Sequence, residues 1–137
     1  MARSEWSVTC GAVVWIRPPQ QGEEGPIFII SYPEDHDGYA LFVGAVWDAD
    51  PDSFVMQIRE AEHSWLEADC YLDFSTLDFA NMRRLAAALT NRKTPNYERV
   101  ESASDALVQK IQEAALEYEL ITPVQKKLIK QAMERRC

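Results

Sequence analysis

Two histidines and three cysteines bound the chemistry open to this chain. His63 and Cys70 are the pair with nucleophilic potential. A nearby imidazolium can hold a thiol as thiolate, and Asp69 or Glu62 stands close enough in sequence to orient the ring. Cys70, however, opens an alternating apolar run, where a small buried thiol is ordinary. His36, with Glu34, Asp35 and Asp37, offers carboxylate oxygens and an imidazole to a hard cation, but the run lacks the spacing of a calcium loop. Asp48, Asp50 and Asp52 alternate, yet Pro51 interrupts them and no Glu follows at the required distance. Both acidic clusters read as solvated turns, so no metal and no cofactor is expected. Arg83, Arg84, Arg92, Lys93 and Arg99 fall in one stretch that could line a basic groove, although solvated surface charge is the simpler reading. Of the four tryptophans, Trp15 and Trp47 sit on or beside apolar runs and read as core. Trp65, in Glu62-His-Ser-Trp-Leu66, is placed for a stacking or protein-contact surface.

The elements that must position these residues change character near Thr76. Before it, Gly11–Ile16, Pro26–Tyr32, Tyr39–Val46, Ser53–Ile58 and Cys70–Thr76 read as five short strands, separated by Pro, Gly and Asp turns. The second of these is apolar on both faces, which predicts burial on both. Gly38 suits a positive φ, and Gly44 marks a bulge or close approach within the third strand. Five strands with turns at this spacing predict a small antiparallel barrel or sandwich.

After Thr76 the apolar period becomes helical. Phe79, Met82, Leu85, Ala86 and Leu89 share one face of a helix that ends at Thr90-Asn91 and Pro95. Ser102 reads as an N-cap with Asp105 at N3, followed by a stripe of Ala106, Leu107, Ile111, Ala114, Ala115 and Tyr118. Thr122-Pro123-Val124-Gln125 reads as N-cap, N1 proline and capping-box glutamine, with Val124, Leu128, Ile129 and Ala132 turned inward. The last two helices form an αα-hairpin. The fold class is therefore α+β: a β-barrel portion over residues 1–76 and a helical extension over 77–137, within one domain by size.

Charge divides at the same place. Residues 1–76 carry fourteen acidic and three basic side chains, for −11; residues 77–137 carry eleven basic and eight acidic, for +3; the sum is the −8 of the whole. A chain of 137 residues with 47% hydrophobic content can bury roughly 65–70% of its unfolded surface and is not a disordered composition. An acidic balance opposes non-specific attachment to nucleic acid, whose affinity comes from Lys and Arg on phosphates. No apolar run is long enough for a membrane span, and Met1 to Trp6 lacks the apolar core of a secretory signal. An odd cysteine count without C-x-x-C spacing argues against a disulfide framework, so a reducing cytoplasm is the expected setting.

Gly11-Ala-Val-Val-Trp-Ile16, a loop rich in Gly and Glu, and Pro26-Ile-Phe-Ile-Ile-Ser31 resemble the opening of the MazF/PemK-type toxins. His63-Ser-Trp-Leu66 followed by Asp69-Cys-Tyr-Leu72 also resembles a His-Pro-Phe-Ile…Asp-Ser-Tyr-Val stretch in relatives of that family. The likeness spans about residues 11–76. It implies an SH3-like barrel and, in many members, an endoribonuclease belonging to a toxin–antitoxin pair. Active members place an Arg immediately before the second-strand proline, where it stabilises charge on the cleaved phosphate. This chain has Gly25 there, beside Glu23 and Glu24. Members also carry a Thr or Ser after the third strand, where this chain has Ala45-Val-Trp47.

The resulting expectation is a degenerate barrel of this kind, acting as an acidic module that binds a basic protein partner, with a homodimer through the helical hairpin as a further expectation. Trp65, Tyr71, Phe74 and Phe79 are the anchor candidates. The alternative is a divergent, metal-independent endoribonuclease acting on RNA through Arg17 and His63, with Ser75 and Thr76 as available hydroxyls. A second alternative is an acidic mimic that occupies a nucleic-acid-binding protein, which requires its acidic residues to form one continuous stripe.

Overall fold

A computed structural model describes residues 8–16, 25–46, 54–59, 70–90, 97–100 and 102–135. In chain order these form β1 (Val13–Ile16), β2 (Gly25–Ile29), a 3-10 turn (Pro33–Asp35), β3 (Tyr39–Val46), β4 (Val55–Ile58), β5 (Cys70–Asn81), α1 (Met82–Thr90), β6 (Tyr97–Val100), α2 (Asp105–Leu116) and α3 (Pro123–Glu134). The strands make one six-stranded sheet in the order β4-β5-β3-β2-β1-β6, with every neighbouring pair antiparallel.

Alternation along the strands gives the sheet two apolar faces, and helices cover both. Val13, Phe28, Ile30, Leu41, Val43, Leu72 and Phe74 share a buried cluster with Leu107, Val108 and Ile111 of α2 and Leu128 and Ile129 of α3. Val14, Ile27, Ile29 and Ala40, from the opposite face, share a second cluster with Met82 and Leu85 of α1. The predicted two-sided burial of the second strand is thus observed. The expected closure into a barrel is not, because β4 and β6 remain the two edges of the ladder order among the described residues. With α1 on one side and α2 and α3 on the other, the sheet buries both faces against helices and has no need to curl upon itself.

Two elements differ from their predicted extents. β5 continues past Thr76 to Asn81, so the change of period falls between Asn81 and Met82, and Phe79 belongs to a strand. β6, in a stretch predicted to link helices, pairs with β1 through Val13↔Val100 to Ile16↔Tyr97. α1 is capped by Asn81, whose side-chain oxygen accepts from the N–H groups of Arg83 and Arg84 at 3.0 and 3.1 Å.

α2 starts later than predicted. Ser104, not Ser102, is the N-cap and accepts from Leu107 N–H at 3.1 Å. The buried stripe rotates with it to Leu107, Val108, Ile111, Gln112 and Ala115, leaving Ala106 exposed. α3 keeps its predicted start: Thr122 Oγ1 accepts from Gln125 N–H at 3.2 Å, and Gln125 Oε1 accepts from Thr122 N–H at 3.0 Å. A cap of this kind contributes about 1 kcal/mol. Leu128, Ile129 and Ala132 are buried as expected, whereas Val124 is 48% exposed.

Two buried polar side chains bond to backbone within this core. Ser31 Oγ accepts from Leu41 N–H at 2.7 Å beyond the end of β2. Gln112, fully buried, donates from Nε2 to the Ile30 carbonyl at 2.9 Å and so links α2 to the sheet.

Candidate functional site

The first polar constellation lies where β5 bends. Gly44 faces Asp73 and Phe42 faces Asp78, so the single β3 residue Val43 stands opposite four residues of β5, Phe74 to Leu77. The extra residues are thus on β5, and Gly44, read as a bulge or close approach, is the point where Thr76 comes close to β3. The irregularity leaves Gly44 N–H without a ladder partner, and Thr76 supplies one: its Oγ1 accepts from Gly44 N–H at 2.7 Å and donates to the Asp73 carbonyl at 2.7 Å. A Cβ at position 44 would stand 3.2 Å from Thr76 Oγ1, so the Thr76 side chain would have to give by a few tenths of an ångström. Asp73 Oδ1 accepts from both the N–H and the hydroxyl of Ser75, at 2.9 and 2.7 Å. A carboxylate beside two hydroxyls has the composition of an acid–base site. Here the Thr76 hydroxyl is committed to holding backbone, and the Ser75 hydroxyl donates within an Asx turn.

The positions that carry ribonuclease chemistry in the resembled toxins lie at the same end of the sheet. Gly25 begins β2 opposite Ile16, and Ala45-Val46 ends β3 opposite Leu72 and Tyr71. None of these supplies a cation or a hydroxyl. Arg17 and His63 lie outside the described residues, as do Trp65, Asp69, Glu62 and Asp48, Asp50 and Asp52. Cys70, the other half of the nucleophile pair, has no accessible surface and belongs to the core cluster.

The second constellation surrounds the turn between β2 and β3. Asp37 (φ 54°) and Gly38 (φ 89°) both adopt positive φ, the latter as its sequence predicts. Asp35 binds Arg135, whose guanidinium also lies 5.1 Å from the centre of the Tyr32 ring. The hydrogen bond to Asp35 is the main cause of the raised Arg135 pKa. His36 stacks on Phe79 with ring centres 4.8 Å apart. The cation-site reading of this turn therefore separates into a salt bridge and a ring stack. Among the described residues no group of three His, Cys, Asp or Glu could hold a metal ion. Beside the turn lies a depression of about 280 Å³, lined by Glu34, Asp37, Gly38, Asn81 and Arg83. Of the predicted basic cluster, Arg83 and Arg84 are exposed on the first turn of α1, and Arg99 falls on β6.

The third constellation is apolar and was not singled out by the sequence. Phe54, just before β4, meets Phe74 edge-on at 5.5 Å and Tyr118, beyond α2, at 5.7 Å. Tyr118 leads into Leu120, which is 75% exposed, and Val124 follows on the first turn of α3. Phe54 is itself 39% exposed. Among the predicted anchors, Phe74 is fully buried beneath these rings, while Tyr71 and Phe79 are half-buried. Tyr71 alternates with the buried residues Cys70 and Leu72 and so faces the α1 side, whereas Phe79 packs with the α2–α3 cluster. These two cannot share one flat contact surface.

No protein-family model matches the chain, and no curated protein matches it in sequence. Solved structures do match in fold. A crystal structure of MazE-MazF (form II) from Deinococcus radiodurans aligns with a TM-score of 0.53 at 11% identity, covering 86% of this chain and 100% of the other. Form III of the same assembly gives the same score and identity over 82% and 95% of the two chains. The chain thus has a MazF-like fold, with its sheet left open. No helix among the described residues is long and apolar enough to cross a membrane.

Proposed function

We propose that this chain is a MazF-like protein that acts by binding a partner protein and does not cut RNA. The observation that carries this reading is the state of the polar group at the bend of β5. Its Thr76 hydroxyl is committed as both acceptor and donor to the backbone of Gly44 and Asp73, while Gly25 stands where the resembled enzymes carry an arginine. Cleavage of a phosphodiester needs a cation facing the developing charge together with a base and an acid. Glu23 and Glu24 beside Gly25 repel that phosphate.

Charge supports the same reading. A net charge of −8 opposes RNA and favours a basic protein, for which complementary potential raises the association rate. The two solved structures described above are, by their names, assemblies of MazE with MazF, which supports a protein partner for this chain as well. Residence in the cytoplasm belongs to the same proposal, as does Trp65 among the contact residues.

Fluorescence anisotropy of a labelled single-stranded RNA, titrated with the purified chain at near-physiological salt, tests the reading. The expected result is no saturable rise. Saturable binding abolished by Arg17→Ala would favour the endoribonuclease instead.

A further inference from the structure

We infer that the rim formed by Phe54, Tyr118, Leu120 and Val124 is the docking surface, and that its occupant is a basic amphipathic segment of the partner, with aliphatic side chains beside Lys or Arg. This rests on the protein-partner reading above and names its surface. Three of the four large hydrophobic side chains that stand most exposed among the described residues are Phe54, Leu120 and Val124. The fourth, Tyr39, begins β3. Tyr118, which meets Phe54, stands two residues before Leu120, and Val124 follows at the start of α3, so Phe54 lies against the segment that joins α2 to α3. An apolar rim that stays open to water in the folded chain is the usual mark of an interaction site.

Charge decides what fits there. Glu113 and Glu117 lie one helical turn apart at the end of α2, and Glu119 follows Tyr118; all three are exposed. The last turn of α2 has no basic residue. Acidic side chains at a helix C-terminus add to the negative end of the helix dipole, an arrangement that costs stability in the isolated chain. Glu113 has only the amide of Gln109, and no ion pair offsets Glu117 or Glu119 among the described residues. A cationic side chain from outside relieves that repulsion, and the half-exposed rings of Phe54 and Tyr118 offer it π faces. Lys126 and Lys127, exposed near the start of α3, disfavour a cation on that side and favour it at the glutamates. A second copy of this chain brings a net charge of −8 to the same surface, which disfavours self-pairing there.

The test uses the full chain and a labelled synthetic peptide of Lys and Leu at helical spacing, with a scrambled peptide of equal composition and a Glu-for-Lys peptide as controls. The expected result is saturable binding of the Lys/Leu peptide only. Glu117→Lys, Glu119→Lys, Leu120→Ser and Val124→Ser should each weaken it by roughly tenfold or more. Asp78→Lys, an equal charge change at an exposed β5 position, should leave it within about twofold. All five positions are exposed, so the variants should fold, and thermal melts verify this. The inference is overturned if the Lys/Leu peptide does not bind, if the scrambled peptide binds equally, or if Asp78→Lys weakens binding as much as Glu117→Lys. It is also overturned if light scattering shows a dimer that Leu120→Ser dissolves, since a second copy is then the occupant. Any of the peptide failures, with RNA still neither bound nor cut, would move the partner to another surface and leave the protein-partner reading standing, whereas the dimer would put a second copy on this one.

Discussion

Ile111→Ala is expected to lower the unfolding free energy by about 2–5 kcal/mol, measured by urea denaturation with an unchanged slope. Ile111 has no accessible surface and belongs to the cluster that joins α2 to Val13, Phe28, Leu41 and Val43 of the sheet. Truncation there removes three carbons from a cluster that also holds Leu128 and Ile129 of α3, so the space left behind closes only in part. Leu107→Ala, one turn earlier in the same cluster, should fall in the same range. Ala106→Ser lies on the exposed side of the same helix and should stay within about 0.5 kcal/mol. A loss below about 0.5 kcal/mol at both Ile111 and Leu107 would mean that α2 does not cover the sheet.

Thr76→Val should cost about 1–3 kcal/mol, although valine matches threonine in shape. The change strands the Gly44 N–H, which the bulge has already removed from the ladder, and deprives the Asp73 carbonyl of its donor. A partly buried donor left unpaired costs far more than the net value of the bond that it made. Thr76→Ser keeps the oxygen and should cost less than about 1 kcal/mol. The pair separates a structural hydroxyl from a reactive one. A clamp shows itself as lost stability in valine and its recovery in serine, whereas a reacting hydroxyl would leave stability nearly unchanged.

Much of this architecture was legible because its determinants are local. Tyr39–Val46 has the predicted bounds of its strand, and Gly44 sits at the predicted irregularity. Thr122-Pro123-Val124-Gln125 forms the capping box that its spacing specifies. The failures have non-local causes. Phe79, Met82 and Leu85 imitate a helical period, yet Phe79 is held in β5 by pairing with Leu41, a partner distant in sequence. β6 has only Tyr97-Glu-Arg-Val100 as a signal, and β1, far back in the chain, is what makes it a strand. The choice between Ser102 and Ser104 as cap shifts the α2 stripe by one residue, which exchanged Ala106 for Val108 and hid the buried Gln112. The barrel expectation failed because strand patterns alone do not tell whether a sheet closes on itself or is covered by helices.

The candidate site was legible chiefly through what it lacks. Gly25 and Ala45-Val-Trp47 stand where the toxin resemblance calls for Arg and for Thr or Ser, and that could be read before any fold was known. The Thr76 clamp could not, since it joins residues 32 apart across a bulge. The apolar rim was missed because the helical spacing turned Tyr118 and Val124 inward, and because Phe54, which meets Tyr118, lies far away in sequence.

The central claim, a MazF-like fold without ribonuclease activity, is tested most directly by incubating purified chain in large excess with a mixed-sequence RNA, with and without chelator, beside the Arg17→Ala and His63→Ala variants. Intact RNA in every lane is the predicted result. Chelator-resistant cutting that disappears in either variant would contradict it and make this chain a divergent endoribonuclease.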